Sequence, residues 1–463
     1  DQAPNFVKPK HVDPALGLGY DYDVTNSEVI LTRLDVKDGK LVLPDGQSYE
    51  ILVLPDQDHA NPEVLKKIES LVEKGATIVG PKPTRSHGLK DHDEKDELIK
   101  RIADRLWGDC DGGTITENQY GKGKVIWGKT LKQVMLERGL GPDFSFSSNT
   151  DSTNLDFIHR RTGKEEIYFV SNTRNASETI DGIFRVSGKI PEIWDPETGT
   201  MRRTGLYDVK DEHTRIPLKL QPHGSVFVVF RDQDQSQHII TAEYEGPESG
   251  MFADVQVTGD AMSLIARTEG QYALTDNAGN TNVCDKRDIP PPLNVAGDWQ
   301  IDFPAGWGAP DQIIIPELMS WTDSDQDGVK YFSGIATYHK KFDIPRENLG
   351  EEMIILLDLG KVREVVEIYL NGKNIGILWK PPYQIDITRV ARAGENSLTL
   401  EVANTWSNRL TGDGLLPESE RYTKTNITGP NFQTNTLWKD APLLESGLIG
   451  PVALQFARKI TIN

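Results

Sequence analysis

The sequence predicts a multidomain chain, α/β at its start and all-β from about residue 149. Three observations carry this. Ile51–Leu54, Pro62–Lys74 and Ala76–Val79 make one strand–helix–strand unit. From residue 150 onward, strand-sized apolar runs are punctuated by Asn, Gly and Pro. Asn371-Gly372 separates two apolar strands, as a two-residue hairpin requires, because both central positions take positive φ. At 463 residues the chain exceeds what one hydrophobic core supports, and about 150 residues per domain gives roughly three.

Residues 1–148 form the expected α/β domain. Ile51–Leu54 is fully apolar, as buried parallel strands are. Pro62–Lys74 places Val64, Leu65, Ile68, Leu71 and Val72 at helical spacing, with Asn61 as N-cap, Pro62 at the first helical position and Gly75 as the stop. Right-handed crossover then makes Ala76–Val79 a parallel neighbour of the first strand. A second helix is expected over Glu97–Trp107, a strand over Lys124–Trp127 and a helix over Leu131–Arg138. Residues 149–232 read as a β-sandwich with strands Glu166–Val170, Gly182–Val186 and Ser225–Phe230. Residues 233–292 hold weaker strands and end in Pro290–Pro292, a stiff linker. Residues 293–463 form the last β-domain, opened by Gly297–Phe303 and closed by Gly450–Phe456.

Composition excludes several classes. The chain is 37% hydrophobic and 26% charged, a soluble, turn-rich composition, and no apolar run approaches the roughly 20 residues of a membrane span. A net charge of -19 disfavours nucleic acid, whose binding needs clustered Lys and Arg. Two distant cysteines, Cys110 and Cys284, make neither a disulfide scaffold nor a Cys-based zinc site. The chain opens at Asp1 with no Met and no leader, and we expect it to be a piece of something longer.

Two motifs fail on physical grounds. Gly123–Thr130 fits G-x-x-x-x-G-K-T, but Val125, Ile126 and Trp127 favour an extended strand where a phosphate loop must curl. Asp323-Ser-Asp-Gln-Asp-Gly328 starts like a calcium loop, yet Gly334 stands where a bidentate Glu is needed, and an Asp-rich turn is the better reading. Asn175-Ala-Ser177 and Asn426-Ile-Thr428 are glycosylation sequons, meaningful only in a eukaryotic secretory host.

Leu370–Thr388 and Gly394–Trp406 carry, in order, the Asn371-Gly372 hairpin, an aromatic at Trp379, an Asp386-Ile-Thr388 corner and a Gly394-Glu-Asn396 turn. This resembles the sugar-binding, galactose-binding-like jelly roll of family 2-type glycoside hydrolases. The first domain resembles the amidotransferase-like (flavodoxin-like) domain found beside some glycosidase barrels. The enzymatic version of that domain needs a nucleophilic Cys on a sharp elbow with a His partner. Cys110, in Gly108-Asp-Cys-Asp-Gly112, reads instead as a turn residue. Gly19–Asp23, Leu43–Tyr49, Val79–Pro83, Phe157–Arg160, Trp194–Gly199, Tyr331–Tyr338 and Asn404–Leu410 together resemble the C-terminal half of glycoside hydrolase family 106, the α-L-rhamnosidases.

The resemblance implies an accessory region. The family's inverting carboxylates and its calcium belong to an upstream (β/α)8 barrel, so no catalytic residue and no cofactor are expected in this chain. The implied partners are that barrel and a rhamnose-containing oligo- or polysaccharide, and the implied location is secreted or periplasmic. Two rivals stand beside it: a stand-alone carbohydrate-binding or scaffolding protein, and an amidotransferase-like hydrolase that uses Cys110.

Candidate ligand contacts follow from what a sugar ring needs, a flat aromatic edged by amides or a guanidinium. Among Trp307, Trp321, Trp379, Tyr383, Trp406 and Trp438, two stand out. Trp379 precedes Pro381-Pro382, and Trp406 lies among Asn404, Asn408 and Arg409. Trp299 reads as packing. In His159-Arg160-Arg161, the first two residues are positioned to reach an active-site rim if the sandwich packs on a barrel.

Overall fold

The computed structural model describes residues 19–20, 22–88, 90–233, 236–246, 253–259, 261–286, 288–425, 430–431 and 435–462. Asp21 and the sequon at Asn426 lie outside them. The chain divides into two compact units: residues up to 146 with 155–159, and residues 147–154 with 160 onward.

In the first unit, Leu52–Val53, Thr77–Val79 and Gly123–Ile126 pair in parallel, and Glu117–Tyr120 closes one edge antiparallel. The helix Pro62–Lys74 begins where expected. Asn61 Oδ1 accepts from the backbone N–H groups of Glu63 (2.8 Å) and Val64 (3.2 Å), and Leu65, Ile68, Leu71 and Val72 enter the core. The second helix runs His92–Trp107, five residues longer at its start than the apolar spacing indicates. Its first turns carry Asp93 and Glu94, suited to the positive end of a helix dipole and silent in hydrophobic periodicity. The third is Leu131–Glu137, with a Thr130–Gln133 capping box.

Gly123–Ile126 is a strand, with Val125 and Ile126 buried. A Cβ on Gly123 would stand 2.2 Å from the Ala76 carbonyl oxygen, so the glycine permits close backbone approach within the sheet. Cys110 is buried in the same core as Trp107. Burial pushes its thiol pKa up, opposite to what an attacking thiolate needs.

The second unit is almost entirely antiparallel sheet. One continuous run passes through Glu165–Asn172, Ser225–Gln233, Lys189–Trp194, Met201–Thr204, Asp254–Thr258, Ala261–Ala266, Ala453–Ile462, Met353–Asp358 and Gln384–Asp386. It therefore crosses residues 232 and 292 without a break. Pro290–Pro292 lies between buried Ile289 and Leu293–Asn294, which pair with Leu454 and Ala453. A six-stranded sheet runs Gln312–Ile315, Trp299–Asp302, Ile335–Ile344, Gly394–Ala403, Val365–Leu370 and Lys373–Leu378. Its inward residues, among them Ile301, Tyr338, Val366, Ile368 and Leu400, share one core with Ile355, Leu357, Leu454 and Phe456 of the long sheet. These two layers are the jelly roll. The mostly β architecture with few helices agrees with the sandwich and jelly-roll expectation.

The resemblance motifs of the jelly roll turn out to be its corners. Asn371 and Gly372 take φ values of 54° and 76°. Asn371 Nδ2 donates to the Val390 carbonyl (3.1 Å) and Asn396 Oδ1 (2.9 Å), tying the hairpin to the neighbouring turn. Asn396 is fully buried and donates to the carbonyls of Arg392 and Gly394. Thr388 Oγ1 accepts from Ile355 N–H at 2.9 Å. The Asp-rich run links a 3-10 turn, Trp321–Asp323, to a short helix, Asp327–Lys330, and a Cβ on Gly328 would stand 1.9 Å from the Gly308 carbonyl oxygen. That glycine serves backbone packing.

A third sheet, Ile239–Glu245, Gly270–Asp276 and Thr281–Lys286, ends in a turn built on Asp276. Its carboxylate accepts from Asn280, Gln237 and Ala278, which lowers its pKa from the ordinary 3.8 to about 2, the Asn280 side chain contributing most. A depressed carboxylate stabilises the fold fully above the unfolded value and loses that contribution as pH falls toward the folded one. Asp276→Asn is expected to narrow its stability deficit against the parent as pH falls from 3.8 to about 2, read from urea midpoints. A deficit constant with pH would contradict this assignment.

Candidate carbohydrate-binding site

Trp321 is buried, with its Nε1 donating to Tyr338 Oη at 2.7 Å. Tyr383 is likewise core, its hydroxyl donating to the Glu364 carbonyl at 2.8 Å. Trp299 packs inside, under the Lys340 ammonium. Trp379 (59% exposed) and Trp406 (55% exposed) stay in solvent, which is what a stacking platform requires. Both leave the same end of the six-stranded sheet, since Leu378 pairs with Val366 and Ala403 with Val365. Their strands are separated by one strand, about 10 Å at usual strand spacing.

Trp406 stands at the start of the helix Ser407–Gly414. Its ring meets Trp307 edge to face, centroids 5.6 Å apart. The amides and guanidinium around it are committed internally. Asn404 Oδ1 accepts from Gly334 N–H (2.9 Å) and its Nδ2 donates to the Phe332 carbonyl (3.0 Å). Asn408 Nδ2 donates to the Leu444 carbonyl at 2.7 Å, and its Oδ1 accepts from Leu444 N–H at 2.8 Å. Arg409 is 3% exposed, with Nε 3.0 Å from Asp413 Oδ1, off the hydrogen-bond direction.

Asp413, equally buried, accepts from the backbone N–H groups of Tyr422 (3.2 Å) and Thr423 (2.8 Å) and from the Thr423 hydroxyl. The Arg409 guanidinium lies under the Tyr422 ring, 4.7 Å from its centroid. Arg409 and Asp413 thus hold Tyr422, itself 43% exposed, beside the Trp307 loop, where a Cβ on Gly308 would strike the Tyr422 ring. The result is an open aromatic face of Trp406, Trp307 and Tyr422 on a buried ion pair. Asn404 and Arg409 support that face from beneath. Asp413 and Tyr422 escape sequence reading; the only sign was the i, i+4 Arg–Asp spacing.

Trp379 has no aromatic contact among the described residues, and the following Lys380 pairs with Glu197 of the Trp194–Gly199 turn at 2.5 Å. In that turn Trp194 Nε1 donates to Glu192 Oε2 (2.8 Å), as does Arg231 Nη2 (2.5 Å). Burial raises the Glu192 pKa, but those donors outweigh it and leave the carboxyl below its usual range.

His159 Nδ1 lies 2.6 Å from Asp143 Oδ2, with both side chains mostly buried. Arg160 is exposed. As neighbours on one strand, the two point to opposite sides. Arg161 pairs with buried Glu166 on the adjoining strand at 2.8 Å. Among the described residues, no three His, Cys, Asp or Glu side chains converge to hold a metal ion, and no helix is long and apolar enough to cross a membrane.

Residues 3–208 match the glycoside hydrolase family 106 model, described as alpha-L-rhamnosidase. A solved rhamnosidase from Novosphingobium sp. PP1Y is 32% identical with a TM-score of 0.73, over 95% of this chain and 36% of that one. A putative beta-glucuronidase of Formosa agariphila is 27% identical over 94% of this chain and 53% of that protein. The chain spans about half the length of this curated relative. The resemblance to family 106 glycoside hydrolases read from the motifs is borne out.

Asp413→Ala should leave Arg409 charged and unpaired in the interior, costing about 3–5 kcal/mol. Chemical denaturation of the variant checks this, and a loss within 0.5 kcal/mol, the roughly neutral range of surface changes, would contradict it.

Proposed function

We propose that this chain is the C-terminal accessory region of an α-L-rhamnosidase-like glycoside hydrolase that acts on rhamnose-containing polysaccharide. It comprises an amidotransferase-like α/β domain (1–148), a β-sandwich (149–232), a small β-rich region with its proline stretch (233–292) and a sugar-binding-type jelly roll (293–463). Its role is to buttress the catalytic barrel and to hold carbohydrate on Trp379 and on the Trp406 face. The observation that carries the reading is the shape of the match: nearly all of this chain corresponds to about a third of a solved rhamnosidase.

The site chemistry supports an accessory role. An inverting glycosidase needs one protonated carboxyl and one ionised carboxylate facing each other across roughly 6.5–9.5 Å. The buried carboxylates among the described residues are all committed: Asp143, Glu166, Glu178, Glu192 and Asp413 to a histidine, lysine or arginine, and Asp276 to the amides of Gln237 and Asn280. Calcium, on this reading, belongs to the barrel, and the whole protein is secreted or periplasmic.

The test is direct. Incubated with rhamnose-containing oligosaccharides, the purified chain should release no rhamnose while still binding them. Rhamnose release abolished by substitution of one internal carboxylate would overturn the accessory reading.

A further inference from the structure

The outward face of the six-stranded sheet is not used by the core or by the Trp406 cluster. Pairing places Gln312, Asp302, Thr337, Glu401, Glu367 and Ile377 side by side in one row across all six strands. The adjacent row includes Gln300, His339, Thr399, Tyr369 and Asn374. By strand parity Trp379 continues the outward positions after Ile377, at the edge of this face. Six strands at about 4.8 Å spacing make the rows about 24 Å long, enough for several sugar rings.

The rows hold three carboxylates and no Lys or Arg. Glu401 and Glu367 stand directly opposite each other, an arrangement that ordinarily destabilises a strand pair. Donors compensate two of the three. Asp302 accepts from Gln300 (3.0 Å) and Gln312 (3.0 Å) and lies 3.1 Å from His339 Nε2. Glu367 accepts from Asn374 Nδ2 at 2.5 Å and is hydrogen-bonded by Tyr369, whose phenol is raised by that contact. Glu401 has no hydrogen bond or ion pair among the described residues. A rigid sheet thus presents an unanswered carboxylate between amides, hydroxyls and a phenol, with an exposed indole at one end.

We propose that this face is an extended binding surface for a neutral glycan chain lying across the strands. Sugar hydroxyls donate to Glu401 and its neighbours, and Tyr369 and Trp379 offer ring faces. The charge selects the ligand class: a uronic-acid polymer would bring carboxylates against Asp302, Glu367 and Glu401 and is rejected. The inference rests on the proposed carbohydrate contact at Trp379 and extends it to residues that contact has no need of.

The test titrates the chain with short oligosaccharides of rhamnose, glucose and xylose, with oligogalacturonate as the acidic control, by calorimetry in a Trp406→Ala background. At least one neutral oligosaccharide should bind. Glu401→Gln and Tyr369→Ala should each weaken that binding about tenfold, the scale of one charge-assisted contact, with a cooperative melting transition retained. Oligogalacturonate should not bind. Unchanged affinity in both face variants, or acidic binding as tight as neutral, overturns the inference and leaves the accessory reading standing. Failure of every neutral oligosaccharide to bind even the unsubstituted chain overturns both.

Discussion

A buried ion pair organises the exposed aromatic cluster of Trp307, Trp406 and Tyr422. Arg409 and Asp413, one helical turn apart and almost fully excluded from solvent, form an ion pair and reach outward in two directions. The carboxylate gathers the backbone of Tyr422 and Thr423, and the guanidinium supports the Tyr422 ring. Buried charge is a weak source of stability but a strong source of uniqueness when every partner is in place. Here it lets a loop present an aromatic face in one geometry.

The same economy recurs at the jelly-roll corners. Asn371, Thr388 and Asn396 are the letters by which the family resemblance is recognised, and all three are consumed by backbone hydrogen bonds. They say that this fold is built, not what it binds. On the proposed reading, ligand contact falls to residues the corners leave exposed, chiefly Trp379 and Trp406.

Legibility in the sequence followed the physics of each element. The helix Pro62–Lys74 could be read because a cap, a proline, an apolar stripe and a terminal glycine agree. The helix Ser407–Gly414 could not, because its buried side is Asn408, Arg409, Thr411 and Asp413, with no hydrophobic period to detect. The Trp307–Trp406 contact joins segments distant in sequence and depends on how loops from different strands converge. The Glu367–Glu401 juxtaposition depends on strand register, which alternation implies only within each strand. Trp321 and Tyr383 illustrate the same limit: aromatic composition nominated them, and burial assigned them to the core.

The central claim, that the exposed tryptophans of the jelly roll meet carbohydrate while the buried ones only pack, is tested most directly by following the indole N–H signals during titration with a rhamnose oligosaccharide. The account predicts that the signals of Trp379 and Trp406 move with added sugar while those of Trp107, Trp299 and Trp321 stay fixed. Movement confined to the buried indoles, or no movement at saturating sugar, would contradict it.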